Sequence, residues 1–482
     1  MEGLKKKYGL FTAICMVVGI VIGSGIFFKA QDVLKVADGS AIDSILAWII
    51  SGLIMVVIAT TFGVMATKYE KVNGVVDYAE ATCGSKYSYY VGWFLTTVYY
   101  PAMTAVLAWV SANYTLVVAG YSGAPLFYFD GNGELCHNMK SCLNSPEVIT
   151  VALFYLILAY FVNAIAPKIA GKFQVSVTVI KLVPIAFIAI VGTIIGLFNG
   201  HLIENTTTVY EGTGIPSGIN TGLFPAICTT IFAYDGWIVA TAVNAEIKDS
   251  KRNLPIALCL GTAITVLAYT LYNIGILGLA DRELIIQQGT SAAFNSAFGG
   301  AVSVIINVLV VISCLGTLNG LMIANCRGIY GLSVRGQGPS PKLFSQVDKE
   351  TNIPCNAAIL SLMLSAVWFV YFILAGGDFF PWEIVQKYRF DSSELPIITL
   401  YALYIPIIIT VMVKGKDLTP FKRFVLPILS VLGIGVIITA CVIKHMEDLI
   451  WYFIVFAIVM LIGWAVQKCN EKRCQSATEI VD

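Results

Sequence analysis

The sequence predicts an all-α integral membrane protein with 12 transmembrane helices. Three observations predict it: scarce charge, a series of long apolar runs, and a repeat in their spacing. Charged residues make up 12% of the 482 and hydrophobic residues 57%, with a mean hydropathy of +0.81. A soluble chain carries roughly 25% charged residues. This chain has too little charge to solvate a surface and too much apolar length for one core. A net charge of +1 gives no bias toward nucleic acid. Three histidines without a His-Glu-x-x-His pattern argue against a zinc hydrolase. Gly84-Ser85-Lys86 lacks the earlier glycine of a phosphate-binding loop, and Asp348-Lys349-Glu350-Thr351 only superficially resembles a pump's phosphorylated aspartate. ATP-driven transport has no support in the chain.

Each apolar run can cross roughly 30 Å of hydrocarbon as a helix. An open sheet would leave backbone groups unpaired in lipid. Span 1 covers 9–28. It follows Lys5, Lys6 and Lys7 as a secretory signal would, yet ends in Gly-Ser-Gly-Ile-Phe-Phe with no small-residue cleavage site. It is read as retained. Spans 2 to 6 cover 41–66, 88–118, 147–165, 173–197 and 221–244. Spans 7 to 12 cover 256–279, 298–326, 355–375, 393–413, 423–443 and 449–467. Of the 30 lysines and arginines, seven fall in odd-numbered loops (Lys29, Lys35, Lys140, Arg282, Lys387, Arg389 and Lys444) and Lys181 lies inside span 5. The other 22 lie in the termini and even-numbered loops. That excess places both termini in the cytoplasm of a cell-membrane protein.

Shifting the first spans by 210 residues superposes them on later ones. Starts at 41, 88 and 147 become 251, 298 and 357, against 256, 298 and 355 observed. The long span 3 lands on the long span 8. Spans 1–5 and 6–10 therefore read as two copies of a five-helix unit. Five crossings are odd, so the second copy is inverted, the pattern of secondary transporters with substrate at the repeat interface. The expected organisation is a cytoplasmic N-terminus (1–8), a first repeat (9–197), a second repeat (221–413), spans 11 and 12 (423–467) and a cytoplasmic tail (468–482).

Equivalent helices of such repeats should both be interrupted near mid-membrane. Span 1 carries Gly19, Gly23, Ser24 and Gly25; span 6 carries Asp235-Gly236, 211 residues after Ser24. Glycine weakens a helix by about 1 kcal/mol relative to alanine. An opened helix offers free N–H groups on one side and free C=O groups on the other. An amino acid zwitterion needs that pairing: its carboxylate suits the positive end of a half-helix and its ammonium suits bare carbonyls. The competing reading of Gly19-x-x-x-Gly23 is close helix packing.

These residues carry a resemblance. Gly19-Ile20-Val21-Ile22-Gly23-Ser24-Gly25-Ile26-Phe27 resembles the first-helix signature of the amino acid–polyamine–organocation permeases. Phe232-Ala233-Tyr234-Asp235-Gly236-Trp237 is similar to their sixth-helix motif, and Glu246-Ile247-Lys248-Asp249 with Arg252-Asn253-Leu254-Pro255 to the loop after it. Lys172-Phe173-Gln174 and Val179-Ile180-Lys181-Leu182-Val183-Pro184 resemble the fifth helix. Arg327-Gly328-Ile329-Tyr330 and the Gly-Gln-Gly-Pro at 336–339 fit the loop after span 8. The resemblance covers most of 9–440 and is nearest to bacterial relatives of the L-type exchangers. One departure is Tyr69-Glu70-Lys71-Val72-Asn73-Gly74, with one glycine where family members place a Gly-Gly pair.

The resemblance implies a leucine-transporter-type fold: a 5+5 inverted repeat plus two peripheral helices. Carried over, the substrate carboxylate meets the Ser24 hydroxyl and the Gly25 and Ile26 amides beside Gly23. The ammonium meets carbonyls of Val21, Phe232, Ala233 and Asp235. The Phe232 ring gates the substrate from outside. Lys181 replaces the sodium ion held there by sodium-coupled relatives.

Lys181 lies nine residues beyond Lys172, roughly 13 Å into the membrane at about 1.5 Å per residue. A charge there costs on the order of 2.5–3.5 kcal/mol. Besides the sodium-surrogate role, where its ammonium rests on carbonyls freed in span 1, it could carry a proton or snorkel to the interface. Asp235 has three readings: cap of the second half-helix, attractor of a cationic side chain, or member of a gating or proton network. Tyr99-Tyr100-Pro101 in span 3 and Ser313 with Thr317 in span 8 are weaker candidates. Cys136 and Cys142 share the expected outer loop 3–4, where a disulfide is compatible with the oxidising side. Asn205-Thr206-Thr207 is a glycosylation sequon on the same side. No metal site, cofactor or enzyme chemistry is expected. The partners are a small-molecule amino acid and the bilayer, and the pattern carries no marker of oligomeric state.

The function expected is secondary active transport of amino acids by alternating access, sodium-independent, as an exchanger or with a proton. Polyamine, organocation and sodium-coupled carriers of the same fold are the alternatives. An ion channel would show rings of charge or a filter loop, which the chain lacks.

Overall fold

The computed structural model describes residues 9–68, 74–121, 127–129, 135–137, 145–165, 176–207, 222–238, 241, 247–348, 354–375 and 388–479. Among them, ten helices are long and apolar enough to cross a membrane. They are spans 2 (Ala41–Ala66), 3 (Ser85–Val118), 4 (Pro146–Ala164), 5 (Ser176–Asn199) and 7 (Ser250–Leu279). The others are spans 8 (Thr290–Ser333), 9 (Cys355–Ala375), 10 (Leu395–Lys414), 11 (Phe421–Lys444) and 12 (Leu449–Lys472). Spans 1 and 6 yield shorter apolar helices, Leu10–Val21 and Leu223–Tyr234. The strands among the described residues are one short antiparallel pair, Phe127–Phe129 with Leu135–His137.

Spans 2 and 9 keep the bounds read from the sequence. Others run on: span 7 begins six residues earlier, at Ser250, and the helix of span 12 continues to Glu479. Apolar content marks the bilayer, whereas the i→i−4 ladder continues into polar residues as long as each N–H finds its carbonyl. Span 8 is two helices meeting at Gly299, whose φ of +75° only glycine adopts easily.

Prolines shape the interiors. Pro101 cannot donate to Thr97, and span 3 forms a π-turn over Leu95–Tyr99 just before it. The indole of Trp368 in span 9 supplies the missing donor, 2.9 Å from the Thr97 carbonyl. Span 5 carries Pro184 and a π-turn at Ile188–Gly192.

Span 3 is the most enclosed, with 72% of its apolar window buried, and span 12 the least, with 11%. Span 3 therefore lies in the centre of the bundle and span 12 at its periphery. Span 2 packs along span 7, and span 3 along span 8. Spans 5 and 7 meet through glycines: a Cβ on Gly192 would come 2.5 Å from the Gly275 carbonyl oxygen. Leu153, Phe154, Val179, Val183, Leu432 and Phe453 point outward, as lipid-facing side chains do.

Candidate functional site

The first helix ends where its glycines begin. Ile22 still donates to Val18 at 2.8 Å, but its ψ of 103° leaves the helix. A new helix, Gly25–Val36, starts after Ser24 and points its N-terminus into the gap. Its first ladder bonds run from Phe27 and Phe28 back to Ser24. Among the described residues, no backbone carbonyl accepts from the amides of Ser24, Gly25 and Ile26. The Ser24 hydroxyl is fully buried and makes no hydrogen bond. An anion fits these groups.

Span 6 breaks in the same layer. Leu223–Tyr234 ends at Asp235, whose ψ is 162°, and Gly236 follows at φ +102°. A side chain at Gly236 would strain the turn.

The two breaks touch. A Cβ on Gly25 would lie 2.5 Å from the Ala233 Cα. Only glycine admits this approach of the half-helix N-terminus to span 6. Gly23 abuts Thr317 of span 8 and Gly19 abuts Thr178 of span 5. Gly19 and Gly23 therefore pack closely against neighbouring spans, and Gly25 brings the breaks together.

One side chain bridges them. The Tyr269 hydroxyl of span 7 is 3.0 Å from the Val21 carbonyl and 3.2 Å from that of Ala233. Two of the four carbonyls expected for the substrate ammonium thus face a phenol donor in this structure.

Lys181 is buried at 1% exposure. Its amide donates to Val177, which packs against Gly316 of span 8. Its Nζ makes no hydrogen bond, so the expected contact with the span 1 carbonyls is absent in this conformation. The Ser313 hydroxyl is likewise buried and unbonded, while Thr317 donates to the Ser313 carbonyl at 3.1 Å.

Asp235 accepts a very short hydrogen bond from the Tyr99 hydroxyl of span 3. It ends the first half-helix of span 6, and no described residue shows it capping a second. The carboxylate sits in an aromatic shell in which Trp237 donates to the Tyr401 hydroxyl at 3.2 Å.

Phe232 is 8% exposed, with its ring edge-on to Phe28 at 6.0 Å between centroids. Phe28 continues the aromatic series to Trp109, 5.8 Å away.

A family model described as an amino acid permease matches residues 8–464. The chain belongs to this family. Membership makes it an integral multi-pass membrane transporter of amino acids and not an enzyme. The permease is 28% identical to the serine/threonine exchanger SteT of Bacillus subtilis, over 90% of each chain. It is 25% identical to the mouse b(0,+)-type amino acid transporter 1, over 99% of this chain and 93% of that one. It is 26% identical to the human large neutral amino acids transporter small subunit 2, over 90% and 79%.

Several expectations for the permease change in the structure. Lys29, placed in an outer loop by its charge, lies within the helix Gly25–Val36 at 3% exposure. Asn205 is buried, and its amide donates to the carbonyls of Leu277 and Ala280, so the sequon is not presented to solvent. The Cys136–Cys142 pair lies outside the residues whose side chains are described. So does most of the expected second half of span 6. Tyr269 was missed. A lone tyrosine among 23 carries no periodic signal, and only its place opposite both breaks reveals it.

Proposed function

We propose that this permease moves amino acids by alternating access, without sodium, as an exchanger or with a proton, across the plasma membrane with both termini cytoplasmic. It crosses the bilayer 12 times, with two inverted five-helix repeats and two peripheral helices. The matched interruptions at Ile22–Ser24 and Asp235–Gly236, and the long spans 3 and 8, support the repeat. The observation that carries the function is the contact of the two breaks at Gly25 and Ala233, beside a buried Ser24 hydroxyl without a partner and amides that no described backbone carbonyl accepts. The carboxylate would bind the Ser24 hydroxyl and the Gly25 and Ile26 amides. The ammonium would displace the Tyr269 hydroxyl from the Val21 and Ala233 carbonyls and meet those of Phe232 and Asp235. Phe232 would close the site from outside. Lys181 is a buried amine at the position where the family resemblance implies a sodium site in sodium-coupled relatives, and its free Nζ suits a sodium surrogate or a proton carrier.

Uptake into liposomes loaded with each amino acid in turn, with and without sodium and a pH gradient, tests this. Counterflow of labelled against internal amino acid without sodium is expected. Uptake that requires sodium, or that occurs only with polyamines, overturns it. Lys181→Ala should lose nearly all transport; near-normal uptake by that variant removes the lysine's role.

Asp235 supports a second reading at the level of substrate. Its carboxylate, one oxygen held by Tyr99, would favour a cationic side chain. Asp235→Asn should then impair uptake of cationic amino acids more than neutral ones. Equal loss for both classes assigns Asp235 to gating or helix termination.

A further inference from the structure

Outward of the two breaks lies a second buried polar cluster that substrate binding does not use. Its centre is Glu394, at the start of span 10 with a 1% exposed side chain. Oε1 accepts from the Lys29 ammonium at 2.8 Å. Oε2 accepts from Lys444 at 2.6 Å, from His445 Nε2 at 3.1 Å and from the Cys228 thiol at 3.5 Å. Lys29 belongs to the outer half of span 1, Cys228 to the outer half of span 6 and Lys444 to the outer end of span 11, with His445 just past it. One carboxylate therefore joins four elements.

Lys29 also reaches the gate. Its Nζ lies 5.3 Å from the ring centroid of Phe232 and 5.1 Å from that of Phe28, within cation–π range of both. Asp32, 3.9 Å away, and Ser393, at 3.4 Å, complete its surroundings.

We propose that Lys29 and Glu394 are the outer latch of the transport cycle, with Lys29 as the positioning residue that holds Phe232 over the site. The proposal rests on the reading of the breaks as the substrate site. Substrate arriving from outside must pass Phe232, so the outer halves of spans 1 and 6 must part from spans 10 and 11. Parting them separates the ammonium from the carboxylate. A dry ion pair persists only when fully matched, because each buried charge is costly alone. Admitted water solvates both charges at once. The pair therefore favours two arrangements, closed and dry or open and wet, as a switch requires.

Cys228, Glu394 and His445 stand close enough to share a metal ion. Both carboxylate oxygens already hold lysine ammonium groups, which disfavours a second cation there.

Cys228 reports on the latch because it is fully buried with its thiol 3.5 Å from Glu394 Oε2, one turn outward of Phe232. Intact cells expressing the full-length permease are treated with a membrane-impermeant thiol reagent, and labelled cysteines are mapped by mass spectrometry. Cys228 should be shielded in the wild type. It should label about tenfold faster in Lys29→Met, which makes no bond to Cys228, as the population shifts to the open state. Lys29→Arg should restore shielding, and Glu394→Gln should behave like Lys29→Met. The deeply buried Cys314 must remain unlabelled, since labelling there reports unfolding. Apparent affinity for external amino acid should change in Lys29→Met while that for internal amino acid does not. Equal shielding of Cys228 in wild type and a folded Lys29→Met overturns the latch. So does one equivalent of zinc co-purifying with the wild type. A wild type that exchanges no amino acid, with Cys228 exposed only in the variants, keeps the latch and defeats the transport reading.

Discussion

Gly25 and Tyr269 decide most of the site at the scale of single residues. A valine at position 25 would press into the Ala233 backbone, which cannot move away as a flexible side chain could. Overpacking of this kind costs about 1–3 kcal/mol. Gly25→Val should abolish exchange while the protein still reaches the membrane, a pair of results checked by liposome uptake and surface labelling. Tyr269→Phe removes a donor shared by two buried carbonyls. An unsatisfied buried group costs about 1–3 kcal/mol, so the variant should melt earlier without substrate. A saturating amino acid should recover part of that loss, because its ammonium supplies the missing donor. Unchanged melting in the absence of substrate would show that the phenol holds nothing. The glycines of this site were legible because glycine inside an apolar run violates helix propensity. Tyr269 was not, because tyrosine in a helix violates nothing.

At the scale of elements, two contacts stand out. The Trp368 indole satisfies the carbonyl that Pro101 leaves bare, tying span 9 to the π-turn of span 3. That turn sits at Tyr99, the residue that reaches Asp235. The Gly192–Gly275 and Gly196–Gly278 approaches bring spans 5 and 7 together backbone to backbone. Gly275→Val should lower the melting temperature in detergent at any substrate concentration, by an amount reflecting about 1–3 kcal/mol of overpacking. An unaltered melt would mean that the spans can separate without cost. Span centres were legible as apolar runs. Span ends were not, because the ladder of span 12 outlasts its apolar stretch.

The whole molecule adds a pH dependence. Burial opposes a charge on His445, but hydrogen bonds with Cys228 and Glu394 and the charges of Asp391 and Glu394 outweigh it. Its pKa rises to about 10. Lys29 and Lys444 share the cluster, and Asp448 lies 3.7 Å from His445 Nδ1. A raised pKa stabilises the folded state fully below the ordinary histidine value of about 6.5 and less as pH rises through the folded value. Stability should fall between about pH 7 and 10, and His445→Gln should flatten that slope. A wild-type melting curve level across this range would contradict a protonated His445.

By itself the chain determined its solvent, the count and order of its apolar runs, and the two places where helices must fail. These follow from composition and local propensity, which act within a few residues. Tertiary structure decided which groups answer those failures: Tyr269 across from the bare carbonyls, Tyr99 on Asp235, and Lys29 with Glu394, 365 positions apart. Lys29 looked like a loop charge because charge counting assumes that a basic residue faces water. A carboxylate from span 10 makes burial tolerable, and only folding brings that partner within reach.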